Sequence, residues 1–351
     1  MMEKLQIKSF GTTSKGEKTY VYTMKNDAGM EVQVSDFGAT LVNVVVPDPE
    51  ENPVEVVLGY DTAADYEAGD GAMGASVGRN ANRIGGAEFE LQGVTYKLTK
   101  NDGENNLHSG LDFYHKRVWE VVENADDHVT FKMQSPDGDQ GYPGTLEMYV
   151  TYSLDEENAL TIHYQAEPDQ DTIINMTNHS YFNLNGHKSG DVLNHTLMLD
   201  ADTFTPATEQ SIPTGEIRSV EGTPMDFRNG KKVGAEIHAD YEPLKFGNGY
   251  DHNWVLKNEG KFDKVAEVTG DASGIVMEVW TDLPGVQVYT GNFQGTGIAC
   301  KHGVKYPKHV SVCLESQKYP DSPNKKDWPS PYLKPGEKYI SHVAYRFSVK
   351  K

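Results

Sequence analysis

Proton transfer near neutral pH needs one group that gives a proton and another that takes it, and histidine and carboxylate side chains suit those roles. In Thr177-Asn-His-Ser-Tyr-Phe-Asn-Leu, strand alternation puts Thr177, His179 and Tyr181 on one face and Asn178, Ser180 and Phe182 on the other. His179 can exchange a proton, and Tyr181 can donate a hydrogen bond or stack on a sugar-like ring; a core histidine bonded to a neighbouring strand is the competing reading. In Lys308-His-Val-Ser-Val-Cys-Leu-Glu-Ser-Gln, the same alternation sets Ser311, Cys313 and Glu315 opposite Val310, Val312 and Leu314. It predicts Glu315 at a strand end beside the loop Tyr319-Pro-Asp-Ser-Pro-Asn, either as a general base or as a solvated terminus. Gln287 and Tyr289 share a face in Pro284-Gly-Val-Gln-Val-Tyr, and a partly buried Gln287 wants a polar partner. Asp251, in Gly249-Tyr-Asp-His-Asn-Trp, is a hydroxyl acceptor or the head of an Asx turn.

Two further segments carry directional donors. Gly78-Arg-Asn-Ala-Asn-Arg-Ile-Gly-Gly holds Asn82 and Arg83 among glycines, which suits a polar ligand, against the alternative of a turn with solvated arginines. Asn101-Asp-Gly-Glu-Asn-Asn-Leu-His-Ser-Gly contains His108 in a loop-like setting, where a lone histidine is more often structural. No metal is expected: the chain has 12 histidines, but no His-x-x-x-His falls on a convincing helix and no CxxC occurs. Phosphate-cradling Gly-Lys-Ser/Thr loops, dinucleotide fingerprints and a Gly-x-Ser-x-Gly elbow are likewise missing from the sequence.

The elements that must position these residues are mostly strands. Period-two patterns run through Glu31-Val-Gln-Val-Ser, Phe131-Lys-Met-Gln, Leu146-Glu-Met-Tyr-Val-Thr-Tyr and Leu160-Thr-Ile-His-Tyr, bounded by Gly, Pro, Asp or Asn. Further strands are predicted at 54–59, 172–183, 196–199, 276–280, 286–289, 309–315 and 340–349, with hairpins at Gln92-Gly93 and after Leu154. Helix signals are short, at 62–68 and 231–238. Many antiparallel strands without βαβ alternation predict an all-β, large antiparallel β-sandwich of two face-to-face sheets, and scattered Gly and Pro predict one domain over residues 1–351.

Composition narrows the partners. With 351 residues, 37% hydrophobic, and a formal net charge of −20, the chain can build a sizeable core and repels phosphate backbones and anionic lipid. Nucleic acid and membrane are therefore not expected as partners. The chain shows no apolar run of membrane-spanning length and no signal-type start, and it has only two cysteines, Cys300 and Cys313, so a cytoplasmic protein with reduced thiols is expected.

Eight segments taken together strongly resemble the aldose 1-epimerase family, the galactose mutarotases, in order and spacing over nearly the whole chain. They are Gly78-Arg-Asn-Ala-Asn-Arg-Ile, Asn105-Asn-Leu-His, Gly141-Tyr-Pro-Gly, Asn178-His-Ser-Tyr-Phe-Asn-Leu, Ile212-Pro-Thr-Gly-Glu-Ile, Gly249-Tyr-Asp-His-Asn-Trp, Pro284-Gly-Val-Gln-Val-Tyr-Thr-Gly-Asn and Leu314-Glu-Ser-Gln. The resemblance implies a mutarotase-like supersandwich with a sugar cleft on one sheet. It implies Glu315 as general base, His179 as general acid and His108 as a second histidine near the ring oxygen, with Asn82, Arg83, Asp251 and Gln287 binding the sugar. Tyr181 joins them as a substrate contact. The implied partner is a small-molecule aldose, the implied assembly a monomer or homodimer, and the implied chemistry uses no cofactor. One stretch departs from the family pattern: Ser109-Gly-Leu-Asp-Phe-Tyr-His-Lys-Arg follows His108 where the family shows Gly-Gly before a Gly-Phe element, which bears on loop shape and sugar preference.

Rival readings at this stage are a hexose-phosphate epimerase using Arg79 and Arg83, a sugar-binding module stacking on Tyr181, Trp254 and Phe293, and a glycoside hydrolase using Glu315 and Asp251. For an epimerase, Glu315 is expected to start ionised and His179 protonated, their proximity favouring both charges.

Overall fold

The computed structural model describes residues 5–293 and 299–350. Its largest element is an antiparallel nine-stranded sheet. The strand order is Glu120–Asn124, His128–Ser135, Leu146–Leu154, Ala159–Pro168, Tyr339–Val349, Ile275–Thr281, Asp263–Thr269, Thr196–Leu199 and Lys231–Lys232. Along Leu146–Leu154 the predicted alternation is complete: Leu146, Met148, Val150, Tyr152 and Leu154 are buried, and the residues between them are half-buried. Each fully buried side chain of this kind contributes roughly 1.5–3 kcal/mol, which is why the period-two pattern commits the strand to one register.

Facing this sheet are two five-stranded antiparallel sheets. The first runs through Gln6–Thr12, Lys18–Lys25, Glu31–Ser35, Thr40–Pro47 and Pro53–Glu55; the second through Arg218–Ser219, Thr203–Thr205, Asp251–Val255, Gly285–Tyr289 and Cys313–Gln317. Phe182 joins them, bridging Val57 on one side and Val312 on the other, while its ring packs 4.8 Å from that of Tyr345 in the nine-stranded sheet. The all-β sandwich is therefore present, with one layer built as two sheets tied by a bridge rather than as a single large sheet. The main core fills the space between layers, with Val34, Leu41, Val286, Val288 and Leu314 against Met148, Val150, Leu160 and Ile162.

Both predicted hairpins form: Leu91 opposes Val94 across Gln92 and Gly93, whose φ values of 52 and 77° suit a type I′ turn, and Leu154 opposes Leu160. The helix over 62–68 is present as Ala63–Ala68, capped by the Thr62 side chain. The helix expected over 231–238 is not there. Lys231–Lys232 instead pairs with the strand Thr196–Leu199, and Val233–Ala235 makes one 3₁₀ turn pressed so close to Leu193 that a Cβ on Gly234 would lie 2.8 Å from the Leu193 Cβ. The second short helix is Glu242–Gly247, with Pro243 in its first turn and Asn248 in the left-handed conformation at its end. Residues 172–183, read as one strand, divide among partners: Thr172–Ile173 pairs with Tyr332–Leu333, and Thr177–His179 with Ala75–Val77. The strand expected at 309–315 is Cys313–Gln317, so Glu315 stands in its middle and not at its end. No helix among the described residues is long and apolar enough to cross a membrane.

Candidate active site

The second five-stranded sheet carries the acidic side of the site. Its strands Gly285–Tyr289 and Cys313–Gln317 are buried on both faces, Val286, Val288 and Leu314 toward the core, Gln287, Tyr289 and Glu315 away from it. Register places Gln287 opposite Glu315 on one side and opposite Asn253 on the other, with Asp251 opposite Tyr289. Gln287 Nε2 donates to Asp251 Oδ1 at 2.7 Å. The sequence expectation that Gln287 needs a polar partner is thus met by Asp251, and Gln287 acts on the cleft by fixing that carboxylate.

The histidine side comes from Thr177–His179. Thr177 Oγ1 donates to Ser316 O at 2.8 Å, tying this strand beside Cys313–Gln317. Because Phe182 is committed to the core, His179 and Tyr181 point the other way; their rings stack at 4.9 Å, and the Tyr181 hydroxyl donates to Gly71 O. His179 Nε2 then lies 3.5 Å from Glu315 Oε1, with both side chains almost wholly buried. That gap is too long for a strong hydrogen bond, and Glu315 Oε2 and His179 Nδ1 have no partner among the described residues. Two buried side chains that each keep an unpartnered polar atom cost stability, and sites retain such atoms for chemistry.

His108 completes the triangle, its ring 5.6 Å from that of His179 and nearly perpendicular to it. Asn82 and His108 hold each other in left-handed backbone: the Asn82 N–H donates to His108 Nδ1 at 3.1 Å, and the His108 N–H donates to Asn82 O at 3.0 Å. With Nδ1 accepting, the neutral ring carries its proton on Nε2. Arg83, paired by the two-residue ladder with Leu107, reaches Asp102 at 2.7 Å.

Burial governs the protonation of this group. It pushes Glu315 well above the usual carboxylate range, reinforced by the charge of Asp251 and opposed by Arg83. It pushes His179 down to about 4, and His108 well below its ordinary value. Asp251 is also raised by burial, against the pull of Arg83 and the Gln287 hydrogen bond. Burial thus works against the expected Glu315 carboxylate and His179 imidazolium, favouring the neutral form of each in the free cleft.

These side chains line a cleft of about 260 Å³, at the small end of ligand clefts, with Asn82, Arg83, His108, His179, Tyr181, Asp251 and Glu315 all on its wall. Tyr289, Phe293, Phe113, His115 and Lys116 line it too. The last three lie in the stretch whose sequence departs from the family pattern, and that departure was the signal available for them. A wider groove of about 510 Å³ beside Asp112, Arg117 and Lys132 is open surface in which Arg117 pairs with Asp139 and Lys132 with Glu147. Arg79 is not in the cleft. It is fully buried, donating to Ser135 Oγ, Pro143 O, Ser135 O and Gly144 O at 2.7–3.0 Å, and serves as a strut. Trp254 is no stacking platform either, since it is fully buried in the core with Nε1 donating to Met225 O.

A family model described as aldose 1-epimerase matches residues 20–346. The chain belongs to the aldose 1-epimerase family. Galactose mutarotase of Bos taurus is 40% identical over 342 residues, 97% of each chain, and aldose 1-epimerase of Escherichia coli K12 is 39% identical over 95% of this chain and 96% of its own. Among solved structures, the galactose 1-epimerase of Lactobacillus acidophilus superposes with a TM-score of 0.87 at 27% identity over 99% of both chains. The aldose epimerase homologue of C. elegans superposes with a TM-score of 0.88 at 30% identity, covering 95% of this chain and 100% of that one.

Proposed function

We propose that this protein interconverts the α and β anomers of free aldohexoses such as D-galactose and D-glucose, with Glu315 as base, His179 as acid and His108 as hydrogen-bond donor to the ring oxygen. The observation that carries this reading is the 3.5 Å approach of Glu315 Oε1 to His179 Nε2 inside a cleft walled by hydroxyl-binding groups. Anomerisation needs the proton of the C1 hydroxyl removed while a proton reaches the ring oxygen. The C1–O5 bond then breaks, giving the open aldehyde and a C5 hydroxyl. Rotation about C1–C2 presents the other carbonyl face, and closure runs the same proton transfers in reverse. Two groups sharing one proton suffice for both halves, and the reaction as written needs no cofactor.

In the free cleft burial favours that proton on Glu315, whereas the working form has it on His179. Both forms carry the same number of protons, so moving from one to the other needs no exchange with solvent. A bound sugar supplies what the free cleft lacks, hydroxyl groups that hydrogen-bond a Glu315 carboxylate and a ring oxygen that accepts from a His179 imidazolium. Gln287 holds Asp251 as a fixed acceptor for a sugar hydroxyl, and Asn82 and Arg83 add donors.

A phosphorylated sugar fits less well. Among the described cleft residues the cations are Arg83 and Lys116; Arg83 is paired with Asp102, and Lys116 Nζ donates to Glu67 O and Gly69 O at 2.9 Å.

The test is optical rotation against time for freshly dissolved α-D-galactose, with the spontaneous rate subtracted. Faster relaxation to the same equilibrium rotation is expected. A folded sample that accelerates neither galactose nor glucose, or that acts only on a hexose 6-phosphate, overturns the reading.

A further inference from the structure

Away from the cleft, three side chains from distant parts of the chain bring ligand-type atoms together. Glu55 ends the strand Pro53–Glu55, His187 lies in the turn after Phe182, and His302 lies in the turn Lys301–Gly303; their carboxylate and imidazole atoms all fall within 4.8 Å of one another. His302 Nε2 is 3.3 Å from both Glu55 oxygens, and His187 Nε2 is 3.8 Å from Glu55 Oε2. A four-coordinate zinc with bonds of about 2.0–2.1 Å sets its ligands about 3.3–3.5 Å apart, so two edges of the required tetrahedron are already near length.

Behind the ligands, one outer partner is hydrogen-bonded and a second stands nearby. His187 Nδ1 meets the Tyr306 hydroxyl at 2.9 Å, and His302 Nδ1 lies 3.7 Å from Asp61 Oδ1. An outer partner on Nδ1 is what fixes a ligating imidazole with its Nε2 lone pair toward the metal. Two backbone N–H groups hold the segments in place, His187 N–H donating to Glu55 O and His302 N–H to the Asp61 side chain at Oδ2, each at 2.8 Å. Lys301 Nζ stands 3.7 Å from Glu55 Oε2 but is anchored by Asn43 Oδ1 and Val57 O at 2.9 Å, leaving the histidine side of the carboxylate open.

We propose that Glu55, His187 and His302 form a site for one zinc-like divalent cation, with solvent as the fourth ligand. The ion clamps the 301–303 turn to the first five-stranded sheet. Spacing along the chain does not reveal such a site, because its ligands are 132 and 115 residues apart in sequence. The experiment uses the full chain without a histidine tag, stripped with chelator and titrated with Zn²⁺ by calorimetry and with Co²⁺ by visible absorption. One Zn²⁺ per chain and the intense visible bands of four-coordinate Co²⁺ are expected. His302→Ala, a change at a half-exposed side chain, and Glu55→Gln should each weaken Zn²⁺ binding by at least about tenfold. The rate of sugar anomerisation should be unchanged in His302→Ala. Failure to bind Zn²⁺ stoichiometrically, or binding of equal strength in both variants, overturns the proposal and leaves the cluster as an ion-pair clamp centred on Lys301.

Discussion

The strands Leu146–Leu154 and Cys313–Gln317 belong to opposite layers of the same sandwich and solve different problems. The first buries alternate residues and turns the others to the surface, so each side chain has one environment that suits it. The second is buried at every position, and on its cleft face Glu315 Oε2, together with the neighbouring Gln287 Oε1, finds no partner among the described residues. Along Leu146–Leu154 burial and polarity agree. The site sheet sets them against each other, and the conflict is what leaves reactive atoms available. Mutations should therefore separate the two layers, with activity lost from one and stability from the other.

The largest separation is expected at Glu315 and His179. Glu315→Gln and His179→Asn should each lower kcat by about 10²–10⁴, equivalent to roughly 3–5 kcal/mol, while thermal melting stays at or above that of the parent, since an unsatisfied buried ionisable group has been removed. A near-parental rate in either variant, or a large drop in melting temperature, breaks the contrast. Met148→Ala is the opposite case: a core deletion expected to cost about 2–5 kcal/mol in urea unfolding while kcat well below the melting temperature is unchanged. Asp251→Asn keeps the Gln287 contact possible but weakens the acceptor, so KM should rise about tenfold with kcat falling less; an unaltered KM removes Asp251 from sugar binding.

Acid should sharpen the same comparison. Burial holds His179 and His252 near 4 and His115 near 3, and all three stand in or against the site layer. The unfolded chain takes up these protons below about pH 6.5 and the folded chain does not until about pH 4, so unfolding becomes easier as pH falls through that window, by about 1.4 kcal/mol per pH unit for each group. Above pH 6.5 their contribution is constant. His252 accepts from the Asp251 N–H and donates to Pro243 O, a pattern only the neutral ring satisfies. His252→Asn should flatten the decline of stability between pH 6.5 and 4, a smaller effect than the others, and an unchanged slope counts against it.

How much of this could be read from the sequence follows from the same difference. Leu146–Leu154 was legible because its two faces differ in chemistry. Cys313–Gln317 was placed too early, and Glu315 at its end, because a strand buried on both faces has no polar face to mark its limits. The two arginines of Gly78-Arg-Asn-Ala-Asn-Arg looked alike in sequence, yet carbonyl oxygens from 135–144 surround Arg79 while Arg83 faces the cleft. Those carbonyls are more than fifty residues away along the chain, so local reading could not assign the strut. His115 and Lys116 reached the cleft through the 3₁₀ turn Tyr114–Lys116, which has no hydrophobic period to announce it. The charge state of the Glu315–His179 pair is beyond local reading for a related reason, since proximity can be guessed from a motif but the desolvation opposing it depends on the whole surrounding fold.

The position of Tyr339–Val349 between Ala159–Pro168 and Ile275–Thr281 sets the order in which the molecule can be made. On the ribosome, the two flanking strands emerge long before the one that separates them, and until it arrives each presents a bare edge to any other chain nearby. A message truncated just before codon 339 would carry every residue of the sugar cleft, yet it would yield a polypeptide prone to aggregate rather than a slow enzyme. The nine-stranded sheet therefore closes only when the last of its strands in chain order slides between two that were made before it.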